Sequence, residues 1–159
     1  MKVLKFGGTS VGSVESILSL KEIVEKQTQP VIVVVSALGG ITDKLISTSL
    51  LAVKGDSAYK SEFNAMVKRH HDMIDTIITD TDNRVQLFNT VDKMLEELSS
   101  IYHGVYLIHD LSPKTQDAIV SYGERISSNI VAKLIDGAQW FDSREFIDRA
   151  VKLSKTLED

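Results

Sequence analysis

Lys5-Phe6-Gly7-Gly8-Thr9-Ser10-Val11 closes a short apolar run that starts at Lys2, and it sets the reading of the rest of the chain. A lysine at the end of a strand is followed by two glycines and two hydroxyl residues. That combination suits a site where backbone approaches phosphate oxygens while a fixed positive charge neutralises them. Glycine allows the close approach, and exposed N–H groups can then cradle an anion. A helix beginning just beyond would add its positive N-terminal end. The lysine precedes the glycines and no Gly-Lys-Ser/Thr follows, so this is not a Walker A loop. An ordinary strand-to-helix turn fits the bare pattern equally well.

Outward from this turn, Val14 to Gln27 has helical periodicity, with Val14, Ile17, Leu18 and Val24 as its apolar positions. After Pro30, the unbroken β-branched run Val31-Ile32-Val33-Val34-Val35 predicts a strand buried on both sheet faces. Two strands separated by a helix predict a right-handed βαβ unit in a parallel sheet. Ser36-Ala37-Leu38-Gly39-Gly40 then falls at the carboxyl end of the second strand, where open α/β sheets bind ligands.

The middle of the chain predicts helices. Ile41 to Val53 is one. Phe63, Met66, Val67, His70, Met73, Ile74 and Ile77 mark a second, and Phe88, Val91, Leu95, Leu98, Ile101, Tyr102 and Val105 a third. These last two are expected to form a hairpin about Asp80-Thr81-Asp82-Asn83. Ser112-Pro113 is a helix start, and the helix is expected to run to Asp136 before Gly137, with Ile119, Tyr122, Ile126, Ile130 and Leu134 on one face. Ala138-Gln139-Trp140-Phe141 predicts a third short strand.

Several function classes fall away on composition. The 159 residues carry a net charge of −4 with no basic block, which argues against a nucleic-acid partner. The aliphatic run Val31 to Val35 is far too short for a bilayer. Met1 to Lys5 leads directly into the first strand and leaves no room for a signal peptide, so a cytoplasmic location is expected. Without cysteine there is no disulfide, thiolate metal site or cysteine nucleophile. His70-His71 has no companion His or carboxylate pattern to complete a metal site, so core or surface roles are expected and no metal ligand is assigned.

Gly123 sits mid-helix, where glycine costs roughly 1 kcal/mol relative to alanine. Close approach of another backbone or a ligand would offset that cost. Glu124 follows it, and on residue type alone a solvated helix position explains Glu124 better than a site does.

Four segments change that balance. Lys5 to Val11 resembles the opening signature of aspartate kinases in the amino-acid kinase family, Lys-Phe-Gly-Gly-Thr-Ser-Val, over seven consecutive residues. Val34-Val35-Ser36-Ala37, with Thr42-Asp43 after it, is similar to the family's Val-Val-Ser-Ala…Thr-Asn/Asp segment. Gly123-Glu124-Arg125-Ile126-Ser127 resembles its Gly-Glu-Arg-Leu-Ser helix motif, and Trp140-Phe141-Asp142-Ser143-Arg144-Glu145 a fourth segment ending in Asp-Ser/Ala-Arg-Glu. They occur in the family's order. The stretch His103 to Ile108 is also similar to the aspartokinase half of bifunctional aspartokinase–homoserine dehydrogenases.

The resemblance implies a three-layer α/β sandwich with a parallel sheet, of the amino-acid kinase (carbamate kinase-like) type. It implies residues 1–147 as the N-terminal half of the kinase domain, a helical insert at about 57–109 and a polar tail at 148–159. The implied reaction is transfer of the γ-phosphoryl group of ATP to the β-carboxylate of L-aspartate, leading into lysine, threonine and methionine biosynthesis. ATP and Mg²⁺ are the implied cofactors, and a homo-oligomer is expected. Lys5 is then the catalytic cation, and Lys5, Gly7, Gly8, Thr9 and Ser10 bind ATP phosphates. Ser36, Thr42 and Glu124 bind aspartate. The family's later Arg-Gly-Gly-Ser-Asp-type segment and adenine pocket have no counterpart here, and Phe146 to Lys152 departs from the usual continuation. A catalytically inactive, self-associating fragment is therefore the alternative expectation.

Overall fold

The computed structural model describes residues 1–145. Two parallel strands, β1 (Lys2–Phe6) and β2 (Val31–Val35), pair in register from Lys2 opposite Val31 to Phe6 opposite Val35. Between them lie a 3-10 turn (Gly8–Val11) and helix α1 (Val14–Glu25). Helices α2 (Ile41–Val53), α3 (Tyr59–Ile77), α4 (Thr81–Ile108) and α5 (Pro113–Leu134) follow. The result is a helix-rich α/β arrangement with a small parallel sheet.

Local chemistry explains most boundaries. The Ser13 side chain accepts from Ser16 N–H, and the Ser16 hydroxyl accepts from Ser13 N–H, closing a capping box at the start of α1. Asp80 caps α4 through Asn83 N–H at 2.8 Å, which makes the α3–α4 hairpin turn. Ser112 caps α5 ahead of Pro113 at the first helical position. α1 and α5 each end two residues before the sequence-predicted limits, at Glu25 and Leu134, within the usual fraying of helix ends. In α1 the core-facing stripe is Ile17, Leu20 and Val24, while Leu18 is exposed.

The core runs through all five helices. Tyr102 is fully buried, and its hydroxyl donates to the Leu45 carbonyl at 2.9 Å, pinning α4 to α2. The Phe63 ring meets Tyr102 edge-on, which ties in α3. His70 is likewise inside this core, and His71 instead pairs with Asp92 across the hairpin.

Two expectations are corrected. β2 is not covered on both faces: α5 packs against it from one side, while Val3, Ile32 and Val34 on the other remain 64%, 46% and 44% exposed. The described helices lie on one side only, so the unbroken apolar run does not mean double burial here. Ala138 to Phe141 forms no strand. It is held by a side chain, with the Trp140 indole donating to the Ser128 hydroxyl at 2.8 Å. Among the described residues no helix is long and apolar enough to cross a membrane.

Candidate functional site

Both strands deliver glycine-containing segments to the carboxyl end of the sheet. After β1, Gly7 is extended and Gly8 opens the 3-10 turn, in which Ser10 N–H donates to the Gly7 carbonyl at 3.0 Å. Gly8 and Thr9 start this turn, where N–H groups have no partner within the helix itself. Lys5 sits one residue from the end of β1, opposite Val34, and is exposed. Gly7 and Thr9 are exposed as well, with Gly8 and Ser10 half-buried. The α1 terminus beyond them is less open than the sequence suggests, since Ser13 and Ser16 already take up its first donors.

After β2, Ser36 N–H donates to the Phe6 carbonyl at 3.0 Å, extending the pairing by one bond. The chain then turns through Gly39 and Gly40. Gly40 has φ of 79° and serves as the N-cap of α2 with no side-chain hydrogen bond. The first turn of α2 is thus uncapped by any side chain, a position that favours a carboxylate or phosphate. Thr42 lies in that turn and is exposed.

The two segments touch. A Cβ built on Gly39 would lie 3.1 Å from both Gly12 Cα and the Gly8 carbonyl oxygen, so a side chain there would force the turns apart. Helix α5 closes onto the second segment. A Cβ on Gly123 would lie 2.8 Å from Ala37 Cβ and 3.1 Å from Leu45 Cδ1, which accounts for glycine in mid-helix. One turn on, the buried Ser127 hydroxyl lies 2.7 Å from the Ser36 carbonyl and 3.2 Å from the Glu124 carbonyl. Ser127 thereby links Ser36 and Glu124, two of the predicted acceptor residues.

Glu124 faces an open cleft of about 450 Å³ lined by Ile46, Gln116, Asp117, Val120, Ser121 and Glu124. Asp117, Ser121 and Glu124 are spaced i, i+4, i+7 on one polar face of α5. Helical spacing alone contains this face, yet only Glu124 carries a motif that marks it in the sequence. Lys5 and the 3-10 turn lie outside this cleft, with Lys5 exposed and the turn anchored by the buried Val11.

The fourth motif closes on itself, within reach of the Arg125 charge of the third. Arg144 grips Asp142 through Nε–Oδ1 at 3.0 Å and Nη2–Oδ2 at 2.6 Å. That pairing holds the Asp142 carboxyl below the usual carboxylate range, and the nearby Arg125 charge lowers it further. The Arg125 guanidinium itself lies over the Tyr122 ring, 4.4 Å from its centroid.

Among the described residues no group of three or more His, Asp or Glu side chains could hold a metal ion. Lys5 to Ser10 contains no carboxylate, so the oxygen donors of this segment are the Thr9 and Ser10 hydroxyls and backbone carbonyls.

The sequence profile of the amino acid kinase family matches residues 1–143. The chain belongs to the amino acid kinase family. It is 27% identical to a chloroplastic bifunctional aspartokinase/homoserine dehydrogenase of Daucus carota, over 90% of this chain and 16% of that protein. An aspartokinase of Candida albicans is 30% identical, over 99% of this chain and 30% of its own length. Escherichia coli aspartokinase III, solved with aspartate and ADP, superposes with a TM-score of 0.78 at 25% identity, covering 91% of this chain and 31% of that one. The aspartokinase resemblance is thus carried by both sequence and fold. The chain spans less than a third of each of these relatives.

Proposed function

We propose that this chain carries the phosphate and acceptor side of an aspartate kinase. The reaction is transfer of the ATP γ-phosphoryl group to the β-carboxylate of L-aspartate, giving 4-phospho-L-aspartate. The observation that carries the reading is the contact between the two glycine segments at the carboxyl ends of β1 and β2, with Ser127 linking Ser36 to Glu124 beside them. E. coli aspartokinase III, similar in fold, is the protein solved with aspartate and ADP. Residues 1–147 form the first half of the domain in this reading, with the hairpin at about 57–109 as its insert and the strands as part of a larger three-layer sandwich. The expected tail at 148–159 lies outside the described residues.

The chemistry asks little of the side chains as acids or bases. An aspartate carboxylate ordinarily titrates near about pH 3.9 and is already ionised at neutrality. Catalysis is then positioning of two anions and stabilisation of the charge on the transferred group. Lys5 neutralises phosphate oxygens, Gly7 and Gly8 let the backbone approach them, and Thr9 and Ser10 offer hydroxyls. Ser36 and Thr42 hydrogen-bond the substrate carboxylates, and Glu124 pairs with the α-ammonium. ATP supplies the phosphoryl group, and Mg²⁺ accompanies it on the phosphates.

A second reading, a self-associating chain that transfers no phosphate, is favoured by the exposed Val3, Ile32 and Val34 face and by the open position of Lys5. Hydroxylamine trapping separates the two. Aspartyl hydroxamate formed from ATP, Mg²⁺ and L-aspartate makes this chain itself the kinase. With Lys5 on open surface we expect no hydroxamate from the chain alone, with nucleotide and aspartate still bound. Absence of binding by both ligands contradicts the aspartate kinase reading.

A further inference from the structure

Arg69 lies in mid-α3, on the helical hairpin rather than on either glycine segment. Its guanidinium reaches both of them. Nη1 donates to the Gly39 carbonyl, and Nη2 donates to the Gly12 carbonyl at 3.3 Å. These partners are 30 and 57 residues away in sequence. They belong to the two segments whose contact leaves no room for a Cβ at Gly39. We propose that Arg69 is a positioning residue that locks the Gly7–Gly12 turn and the Gly39–Gly40 turn into one cradle for a nucleoside triphosphate's phosphate chain. This rests on the phosphate-binding reading of Lys5 to Ser10.

Arginine suits the task for a physical reason. Its guanidinium remains protonated at any relevant pH and presents several donors in a fixed fork, so one side chain can hold two carbonyls at a set separation. A lysine ammonium is a compact point charge and does not impose that spacing. The orientation is also useful. All peptides among the described residues are trans, so a carbonyl drawn toward Arg69 turns the N–H of the next residue the opposite way. With the Gly39 carbonyl held, the Gly40 N–H faces away from Arg69. The two carbonyl oxygens are occupied and the Gly40 N–H is left for a phosphate, whereas the Ser13 N–H behind the Gly12 carbonyl is taken by the Ser16 hydroxyl. The neighbouring Lys68 pairs with Asp72 at 2.5 Å, and Arg69 alone of the two makes the bonds to the glycine carbonyls.

The test uses the full chain, with Arg69→Met and Arg69→Lys beside it. Amide hydrogen exchange is followed residue by residue. Two charge-assisted bonds restrain these turns, so Arg69→Met is expected to raise exchange at Gly8–Gly12 and Gly39–Ile41 roughly tenfold or more. Amides in the centres of α4 and α5 should keep their rates. Arg69→Lys should recover part of the protection and not all of it. Unchanged exchange at both turns overturns the proposal. So does an equal rise across all elements, which marks a general loss of stability.

A calorimetric titration with ATP–Mg²⁺, and separately with tripolyphosphate, forms the second arm. The unaltered chain is expected to bind both, and Arg69→Met to bind roughly tenfold more weakly. Equal affinity overturns the proposal. Failure of the unaltered chain to bind either probe overturns the phosphate reading of Lys5 to Ser10, and the exchange measurement then still decides whether Arg69 clamps the turns.

Discussion

Gly123 and Ala37 pack so closely that a Cβ on the glycine would stand 2.8 Å from the alanine Cβ. Helix α5 is thereby seated on the segment behind β2, and Glu124 is fixed beside it. Substituting Gly123→Ala sets two effects against each other. The helix gains roughly 1 kcal/mol in propensity, while overpacking against Ala37 and Leu45 costs about 1–3 kcal/mol. Ala37 is buried and its Cβ is tied to the backbone, so the clash should win. Urea unfolding is expected to show a net loss of about 1 kcal/mol, and a gain in stability would mean that α5 can lift away freely.

Ser127→Ala tests the link from α5 to Ser36. It removes the donor to a carbonyl at 2.7 Å in a fully buried position. Ser36, which carries the acceptor, is only half-buried, so the unpaired carbonyl should cost about 1 kcal/mol, the low end of the range for buried groups. L-Aspartate affinity should also fall, because α5, which carries Glu124, loses its tie to Ser36. Unchanged aspartate affinity together with lowered stability would confine Ser127 to a structural role.

The buried His70 gives the chain an acid-sensitive core. Burial lowers its pKa from 6.5 to about 4, opposed by the Met66 carbonyl at 2.7 Å from Nδ1 and reinforced by the Arg69 and His71 charges. The imidazole is neutral in the fold, and its Nε2 is buried without a partner. Between about pH 6.5 and pH 4 the unfolded chain therefore binds the extra proton, and stability falls as pH falls through that window. The loss approaches roughly 3 kcal/mol below the lower value. His70→Leu should flatten this part of the stability profile, as read by urea midpoints from pH 7 to pH 4. An unchanged slope would assign the acid sensitivity to other groups.

Lys5→Met should separate the two ligands. Losing a charge-assisted contact to phosphate costs about 1.5–3 kcal/mol, less at an exposed position, so nucleotide affinity should fall by roughly tenfold. L-Aspartate binding should change little. Equal loss for both ligands would point to misfolding of the β1 end, and no loss for nucleotide would remove Lys5 from the site.

The uncovered sheet face predicts association. Ile32 and Val34 stand beside Val3 on a face left exposed among the described residues. Val34→Lys should shift the sedimentation coefficient toward the monomer while leaving the fold intact. If the unaltered chain is already monomeric at high concentration, this face plays no part in self-association.

Much of this organisation was legible in the residues. Lys2–Phe6, Val31–Val35 and Ile41–Val53 match their expected limits because Gly, Pro and helical periodicity mark them locally. Ser112-Pro113 did the same for α5. Gly123 announced a close contact through its own cost, and the contact proved to be the side chains of Ala37 and Leu45 rather than a backbone or a ligand. What was not legible is what depends on distant neighbours. The Val31–Val35 run looked doubly buried, because β-branched residues carry no mark of which face is covered. Ala138 to Phe141 has strand-like residues, yet Trp140 bonds to Ser128 instead of a neighbouring strand. Arg69 is one basic residue among Lys68, His70 and His71, and nothing local marks the two carbonyls it reaches.

In the proposed function, Lys5 to Ser10 and the Ser36, Thr42 and Glu124 group are two sides of one site. An amide chemical-shift titration of the isotope-labelled chain tests it most directly, first with ADP–Mg²⁺, then with L-aspartate, then with both. Nucleotide is expected to move Gly7 to Ser10, aspartate to move Ser36, Thr42 and Glu124, and each ligand to change the affinity of the other. Shifts confined to other residues, or two ligands that bind with no mutual effect, would contradict it.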